Sequence, residues 1–412
     1  MRLAGRIEHV QLSPTFKINA IANRMKAQGV DILDLSVGEP DFPTPSSAKE
    51  AGKSAIDNNL TRYTANEGTL ELRRAIVEKL NADNGLHYGT DQILVSTGAK
   101  ASLYCAMLAL FGPGDEVLVP HPYWVSYPEQ VRLVGATPVG VIASEANGFK
   151  ITAKQLAAAL GPQTRGLILN YPSNPTGACY DRAELVAIAE VIVAHDLVVI
   201  ADEIYEKLLY DRRTFTSIAA LGPEILARTI VVNGMSKAYA MTGWRLGYAA
   251  GPKSVIEAMG KVQSHATSHP ASISQAAGEA ALREAGDDVL RMAAEFERRR
   301  NAIVAKLKEL PGITCVPPDG AFYVFPNVSG LFGRVIGGKK VTCGQDVAEA
   351  LLESARVAVV PGEAFGSADH IRISFSCSME TIGEGMRRIG EALPQGKPGR
   401  PPDFGGRPAT SS

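Results

Sequence analysis

The sequence predicts an α/β fold, with a large domain built on a mostly parallel sheet and a second, smaller α+β domain. Between residues 92 and 251, short β-branched runs alternate with helical patterns. Residues 271–310 are helical in pattern and rich in Ala, Glu and Arg, and residues 312–393 mix strand-like runs with a final helix. Continuous apolar strands separated by helices are typical of a parallel sheet covered on both faces. The first stretch therefore predicts the large domain.

The elements follow one another at short intervals. Strands are predicted at residues 93–95, 116–119, 166–169, 197–200, 229–232, 246–249, 321–325, 357–360 and 370–375. Helices are predicted from the first strand through Leu110, from Asp181 to Ala194, and from Met379 to Ala392. The glycine-rich, basic stretch 330–340 is expected to be an exposed loop.

We expect four segments along the chain. Residues 1–45 form an N-terminal arm and part of the small domain, residues 46–290 the large domain, and residues 291–393 the small C-terminal domain. The last segment, 394–412, has Pro, Gly, Ser and Thr and almost no apolar residues, so it is expected to be disordered.

Composition excludes several classes of protein. The chain has 412 residues, of which 45% are apolar and 21% are charged, so it is not a disordered chain. Lys and Arg number 42 and Asp and Glu number 43, which gives a formal charge of −1. A net charge this close to zero does not favour binding to nucleic acid.

The cysteines and the N-terminus bear on the compartment. The five cysteines are far apart and form no C-x-x-C pair, which excludes a disulfide framework and a zinc site and indicates a reducing compartment. The seven histidines are scattered, so no metal is expected. The first residues have no apolar core of a signal peptide, and no 18-residue apolar run exists. A soluble, cytoplasmic protein without a membrane partner is expected.

Four stretches carry the chemistry, mostly at the ends of predicted strands, where open parallel sheets bind ligands. Each alone has an ordinary explanation: a strand-end Asp often caps a helix, and Asn-Pro-Thr-Gly is a common turn. The stretches are N-Y-P-S-N-P-T-G at 170–177, A-D-E-I-Y at 201–205, S-K-A-Y-A-M-T-G-W-R at 236–245 and H-I-R-I-S at 370–374.

Together these stretches resemble the class I aminotransferases of pyridoxal-phosphate fold type I, the aspartate aminotransferase family. The strings S-K-A-Y-A-M-T-G-W-R-L-G-Y and P-Y-W-V-S-Y-P are similar to the bacterial branch that includes aspartate and aspartate/prephenate aminotransferases. The resemblance extends from about residue 13 to residue 393. It implies pyridoxal 5′-phosphate as cofactor, amino-acid and 2-oxo-acid substrates, and a homodimer with active sites at the subunit interface.

The resemblance assigns the groups that hold the cofactor ring. Lys237 would form the Schiff base and, once displaced, move the α-proton of the substrate. Asp202 would keep a proton on the ring nitrogen, and Tyr205 and Asn174 would hydrogen-bond the phenolic oxygen. Trp124 would stack on the ring, although a tryptophan in the core is an equally simple explanation.

The cofactor phosphate needs donors and positive charge. Gly98, Ala99 and Lys100 follow a strand and open a predicted helix, whose N-terminus suits a dianion. By resemblance, Arg245 and Ser236 add a guanidinium and a hydroxyl. Tyr63 matches a tyrosine that reaches the phosphate across the dimer interface. Gly234 stands where many relatives have a further serine.

Substrate recognition divides between the two ends of an amino acid. Arg372 matches the family residue for the α-carboxylate, with Asn174, Trp124 and the backbone of Gly38 assisting. Lys100, Ser13 and Thr15 match residues near the distal carboxylate of aspartate or glutamate. Gln11 stands where prephenate-using relatives have a lysine. The roles of His265 and His269, side-chain recognition or interface packing, stay open.

The resulting hypothesis is transamination of an L-amino acid, with L-aspartate favoured, and 2-oxoglutarate, by a ping-pong route through a Lys237 Schiff base. A second hypothesis keeps the cofactor but changes the reaction to elimination, cyclisation, or transamination of a basic, aromatic or modified amino acid. A third, a non-catalytic ligand sensor, is disfavoured because no basic helix-turn-helix segment precedes residue 13.

Overall fold

A computed structural model describes residues 5–8, 10 and 15–394 of the chain. Of the tail expected to be disordered, only Pro394 falls within the described residues. The helices are α1 (Gly5–Glu8), α2 (Thr15–Ala27), α3 (Ser46–Asp57), α4 (Leu70–Asn84), α5 (Ala99–Leu110), α6 (Ser126–Leu133), α7 (Ala153–Ala158), α8 (Arg182–Ala194), α9 (Pro223–Leu226), α10 (Lys253–Ala266), α11 (Ser272–Glu284), α12 (Gly286–Glu309), α13 (Gly344–Ala350) and α14 (Met379–Ala392).

The strands form one large sheet and several small ones. They are β1 (Leu33–Asp34), β2 (Ile93–Ser96), β3 (Glu116–His121), β4 (Thr137–Ile142), β5 (Thr164–Asn170), β6 (Val198–Asp202), β7 (Thr229–Gly234), β8 (Gly247–Ala250), β9 (Tyr323–Val324), β10 (Val335–Ile336), β11 (Lys339–Lys340), β12 (Val357–Ala358), β13 (Val360–Pro361) and β14 (Ile371–Ser374).

The large sheet has seven strands in the order β2-β8-β7-β6-β5-β3-β4. Only β8 runs antiparallel to its neighbours, so the predicted mostly parallel sheet is confirmed. Its central strands are apolar on both faces because helices cover both sides: Val231 packs in one core cluster with Tyr248, while Val232 packs in another with Met259.

The strand β4 was not predicted from the sequence. It contains Pro138 and Gly140, which ordinarily weaken a strand, but it lies at the edge of the sheet, where a missing N–H is tolerated. By contrast, α8 was predicted to within one residue. Asp181 caps it, accepting from the Glu184 N–H at 2.8 Å while Glu184 accepts from the Asp181 N–H at 2.8 Å.

A second unit contains the antiparallel sheet β13-β14-β9, and α12 contributes Phe296 to its core cluster. The N-terminal strand β1 joins this unit by pairing with β12 in parallel, Leu33 opposite Val357. The prediction of an exposed loop at 330–340 was wrong in part. This stretch contains the hairpin β10–β11, and Ile336 is buried in the core cluster of this unit, which anchors the hairpin.

The fold brings the chemically informative strand ends to one edge. In the sheet register Asn170 lies opposite Asp202, and Asp202 lies opposite Val232, so the carboxyl ends of β5, β6 and β7 are adjacent. In the described part of the chain, no helix has both the length and the apolar character needed to cross a membrane.

Candidate active site

A cavity of about 530 Å³ lies at this edge of the sheet. It collects residues from β5, β6, the segment after β7, the start of α5 and the smaller unit. The predicted site residues that line it are Gly38, Ala99, Lys100, Trp124, Asn174, Asp202, Tyr205, Ser236, Lys237, Arg245 and Arg372.

Lys237 follows β7 and directs its amine into the cavity, where Nζ donates to the Gly38 carbonyl oxygen at 2.6 Å. Burial, with the nearby positive charge of Arg372, lowers the pKa of the Lys237 amine to about 8. At pH 7 roughly a tenth of a group with this pKa is neutral amine, far more than for a lysine with the ordinary pKa. Lys237 can therefore act as a nucleophile and exchange protons.

Asp202 ends β6 and is buried at the base of the cavity. Its Oδ2 accepts from the Tyr127 hydroxyl at 2.7 Å, and its Oδ1 accepts from the Ile204 N–H at 3.2 Å. Burial raises the pKa of the Asp202 carboxyl to about 6. Among the described residues, no cation forms an ion pair with it, so the carboxylate is available to a protonated group of a ligand.

Arg372 lies on β14 and is buried against the rings of Tyr323 and Phe365, at 4.4 and 5.1 Å from their centroids. Its Nη1 donates to Asn174 Oδ1 at 3.0 Å and its Nη2 to the Ser36 carbonyl oxygen at 2.7 Å. In the described residues no carboxylate pairs with this guanidinium, and its buried Nε has no hydrogen-bond partner. Such a cation suits an anionic ligand, best a carboxylate.

A second anion site lies where α5 begins. Gly98 has φ +87° and precedes Ala99, the first residue of the helix. A Cβ on Gly98 would lie 2.5 Å from Arg245 Nη2, so only glycine lets the guanidinium approach the helix N-terminus. Arg245 Nη1 also donates to the Thr242 carbonyl oxygen at 2.9 Å. A helix N-terminus beside a guanidinium suits a phosphate.

Lys100 and Trp124 form one side wall. The Lys100 Nζ lies 4.8 Å from the centroid of the Trp124 ring, and burial together with Arg245 lowers the pKa of the Lys100 amine. The Trp124 ring meets that of Tyr127 edge to face, with centroids 5.3 Å apart. Because Trp124 also lines the cavity, it is placed to contact a ligand as well as the core.

Tyr63 does not line the cavity of its own chain. The residue is 94% exposed, and its ring contacts the His269 ring, with centroids 5.5 Å apart. His269 Nε2 accepts from the Thr64 N–H at 3.1 Å, and its Nδ1 lies 2.7 Å from the Pro270 carbonyl oxygen. His269 Nε2 therefore holds the loop that carries Tyr63, while Nδ1 contacts the residue next to His269.

The remaining predicted residues contribute less to the described site. His265 is exposed near the end of α10. Gln11 and Ser13 lie outside the described residues, and of Thr15 the structure describes only its place in α2. Nothing in the geometry bears on their predicted contact with a distal carboxylate.

Sequence reasoning missed two tyrosines of the cavity wall. Tyr127 lies in α6, three residues after Trp124, and its N–H donates to the Trp124 carbonyl oxygen at 3.0 Å, so the turn that opens the helix places both residues at the cavity. Tyr323 carries no comparable signal, since it lies in an apolar strand. Its hydroxyl oxygen is 3.0 Å from that of Tyr205, 118 residues away in sequence.

Comparison with known proteins identifies relatives along nearly the whole chain. The family model for aminotransferase class I and II matches residues 30–389. An aspartate/prephenate aminotransferase of Cereibacter sphaeroides is 47% identical over 389 residues, covering 94% of this chain and 97% of the relative. An aspartate aminotransferase of Geobacillus stearothermophilus is 45% identical, covering 94% and 98%.

Solved structures are similar to this fold over nearly the whole chain. The crystal structure of the aspartate aminotransferase from Rhizobium meliloti superposes with a TM-score of 0.93 at 45% identity, covering 95% of this chain and 98% of that one. The agreement extends over both units of the chain.

Proposed function

The chain belongs to the class I and II aminotransferases, as its sequence motifs predicted, and from that premise we propose that it binds pyridoxal 5′-phosphate and transfers the amino group of L-aspartate to 2-oxoglutarate in a ping-pong reaction. The observation that carries the proposal is the convergence of Lys237, Asp202 and Arg372 on one cavity, with no ion pair formed by Asp202 or Arg372 among the described residues.

The residues present fit this cofactor. Its phosphate matches the cradle formed by Gly98, the start of α5 and Arg245, where a Cβ would fill the space. Its ring nitrogen matches the buried Asp202, a carboxyl that forms no ion pair with any described cation. When bound, the cofactor supplies a carbonyl carbon reactive toward amines and a ring that withdraws electrons from the substrate α-carbon.

The chain's own residues then divide the work. Lys237 Nζ, with its lowered pKa, would accept the α-proton of the substrate and pass it to the cofactor carbon that receives the amino group. Asp202 holds a proton on the ring nitrogen because a buried carboxylate favours a cationic neighbour. Arg372 and Asn174 orient the α-carboxylate, and the segment around Gly38 limits access of water.

Lys100 supports a dicarboxylate substrate. It is a cation on the cavity wall, 4.8 Å from the centroid of the Trp124 ring, and no described acid pairs with it. The relatives are named as aspartate or aspartate/prephenate aminotransferases, which agrees with aspartate as donor. A second candidate is an aromatic amino acid, which the rings of Trp124, Phe365 and Tyr323 in the cavity wall favour.

We also propose a cytoplasmic homodimer. Tyr63, Ile56 and Leu60 expose 94%, 53% and 58% of their surface on neighbouring segments, an apolar area that a second copy would cover. All five cysteines are free thiols, which supports a reducing compartment. Light scattering on the purified protein tests the dimer.

The absorbance spectrum of the purified protein tests the reaction. We expect a visible band that L-aspartate alone converts to a near-ultraviolet band and that 2-oxoglutarate restores. A band that ignores aspartate but responds to aromatic amino acids would support the second candidate. Release of ammonia without a keto acid would instead indicate elimination.

A further inference from the structure

Two buried tyrosines meet in the wall of the cavity. The hydroxyl oxygens of Tyr205 and Tyr323 are 3.0 Å apart, and both side chains are nearly inaccessible to solvent. We propose that Tyr323 is a positioning residue that donates this hydrogen bond, so that the Tyr205 proton is free to point at the cofactor. The proposal rests on the proposed function, and it concerns a residue that no sequence motif indicated.

The two hydroxyls have two protons between them. Within the described residues, each hydroxyl makes this one hydrogen bond and no other. One proton of the two lies in the shared bond, and the other is left for a further acceptor. If Tyr323 donates, the remaining proton belongs to Tyr205. If Tyr205 donates, it has no proton to offer a ligand.

The surrounding charges favour donation by Tyr323. Burial raises the pKa of both hydroxyls, and the Arg372 guanidinium opposes this rise at both; at Tyr323, whose ring centroid lies 4.4 Å from it, only burial has a larger effect. At Tyr205 the Asp202 carboxylate adds to the rise. The more acidic hydroxyl is the better donor, so the bond runs from Tyr323 to Tyr205.

The local packing holds Tyr323 in this place. An ideal Cβ on Gly38 would lie 2.9 Å from the Tyr323 hydroxyl oxygen, so the Gly38 backbone closes one side of that hydroxyl. The ring lies between Arg372 and Tyr205, whose ring centroid is 6.0 Å from that of Tyr323. Tyr323 therefore connects the arginine proposed to bind substrate with the tyrosine proposed to bind cofactor.

The consequence is measurable on the cofactor. A Tyr205 hydroxyl that accepts a hydrogen bond is a stronger donor, because successive hydrogen bonds polarise one another. Without Tyr323, the anionic form of the cofactor's phenolic oxygen is less well stabilised. The proton whose loss changes the visible band is then held more tightly. The pH midpoint of the visible band should rise by about 0.2–0.7 pH unit.

The experiment is a pH titration of the visible band in wild type, Y323F, Y205F and the double variant. We expect the midpoint to rise in Y323F, to rise further in Y205F, and to be the same in the double variant as in Y205F, since Tyr323 acts only through Tyr205. The KM for the amino acid should stay unchanged in Y323F, because phenylalanine keeps the ring against Arg372.

Y210F is the matched control. Tyr210 is equally buried and donates its hydroxyl to the Ala321 carbonyl oxygen, but it does not line the cavity. Its loss should leave the midpoint unchanged. If Y323F does not fold, 3-fluorotyrosine at position 323 keeps the packing and strengthens the donor, so the midpoint should fall.

An unchanged or lowered midpoint in Y323F, or a further shift when Y323F is added to Y205F, would overturn the proposal. A wild-type protein that shows no visible band after incubation with pyridoxal phosphate would instead overturn the proposed function, and this inference with it.

Discussion

Arg372 Nη1 donates to Asn174 Oδ1 at 3.0 Å, which joins a guanidinium of the smaller unit to an amide that follows β5 of the large sheet. The two units thus meet at the position proposed for the α-carboxylate. Since no described carboxylate neutralises this buried cation, a substrate that brings one gains both the charge pair and the fork geometry.

Replacing Arg372 should therefore damage substrate use without displacing the cofactor. We expect R372A to lower kcat/KM for the amino acid about 100-fold or more, because two charge-assisted hydrogen bonds are lost. R372K should recover little, since an ammonium cannot form the fork. The measurements are steady-state kinetics and the visible spectrum, with R165A on the exposed surface as control. Loss of the visible band in R372A would show that Arg372 holds the cofactor instead.

Replacing Lys237 should abolish turnover while leaving a folded protein. The Lys237 amine lies inside the cavity with a pKa lowered to about 8, and no other described lysine shares this position except Lys100 on the side wall. We expect K237A to lower kcat by at least about 10³-fold and to change the visible spectrum of the bound cofactor. The control is K253A, which removes an exposed lysine that pairs with Asp91. Turnover by K237A above a cofactor-free blank would contradict the assignment.

The sequence predicted the elements whose information is local. The apolar runs of β5 to β7 and the capping box at Asp181 are complete within a few residues. The edge strand β4 was missed because Pro138 and Gly140 argue against a strand unless its place in the sheet is known. The burial of Ile336 depends likewise on a core assembled from distant segments.

In the site, too, the sequence indicated residues in local motifs but not contacts between distant segments. Lys237, Asp202 and Arg372 lie in recognisable motifs, so the family resemblance indicated them. The donation from Tyr127 to Asp202 and the contact between Tyr323 and Tyr205 join residues 75 and 118 positions apart. No local pattern encodes such a pair, and only the folded chain brings the hydroxyls together.

The approach of Arg245 to Gly98 predicts a loss of cofactor affinity in G98A. The new Cβ would lie 2.5 Å from Arg245 Nη2, and φ +87° is unfavourable for alanine. We expect the Kd for pyridoxal phosphate to rise about tenfold or more, since a displaced guanidinium loses a charge-assisted bond. Fluorescence titration of the apoprotein measures it. G85A is matched in backbone, with φ +65° and open space, and should cost stability without changing this Kd.

The buried carboxyl of Glu203 predicts a loss of stability as the pH rises. Glu203 Oε1 accepts from Ser217 Oγ at 2.6 Å and from the Tyr171 hydroxyl at 3.2 Å, while its buried Oε2 has no partner among the described residues. Burial, reinforced by Glu206, raises the pKa of this carboxyl from 4.5 to about 8. Between these values the folded protein retains a proton that the unfolded chain releases.

The free energy of unfolding should therefore decrease with pH across the window from about 4.5 to about 8, by up to about 1.4 kcal/mol per pH unit from this group. E203Q keeps acceptors for Ser217 and Tyr171 but cannot ionise, so its stability should fall less steeply over the same range. Urea unfolding at pH 5, 6, 7 and 8 measures the difference, with the exposed E190Q as control. Parallel pH profiles of wild type and E203Q would mean that Glu203 is ionised in the folded protein at neutral pH.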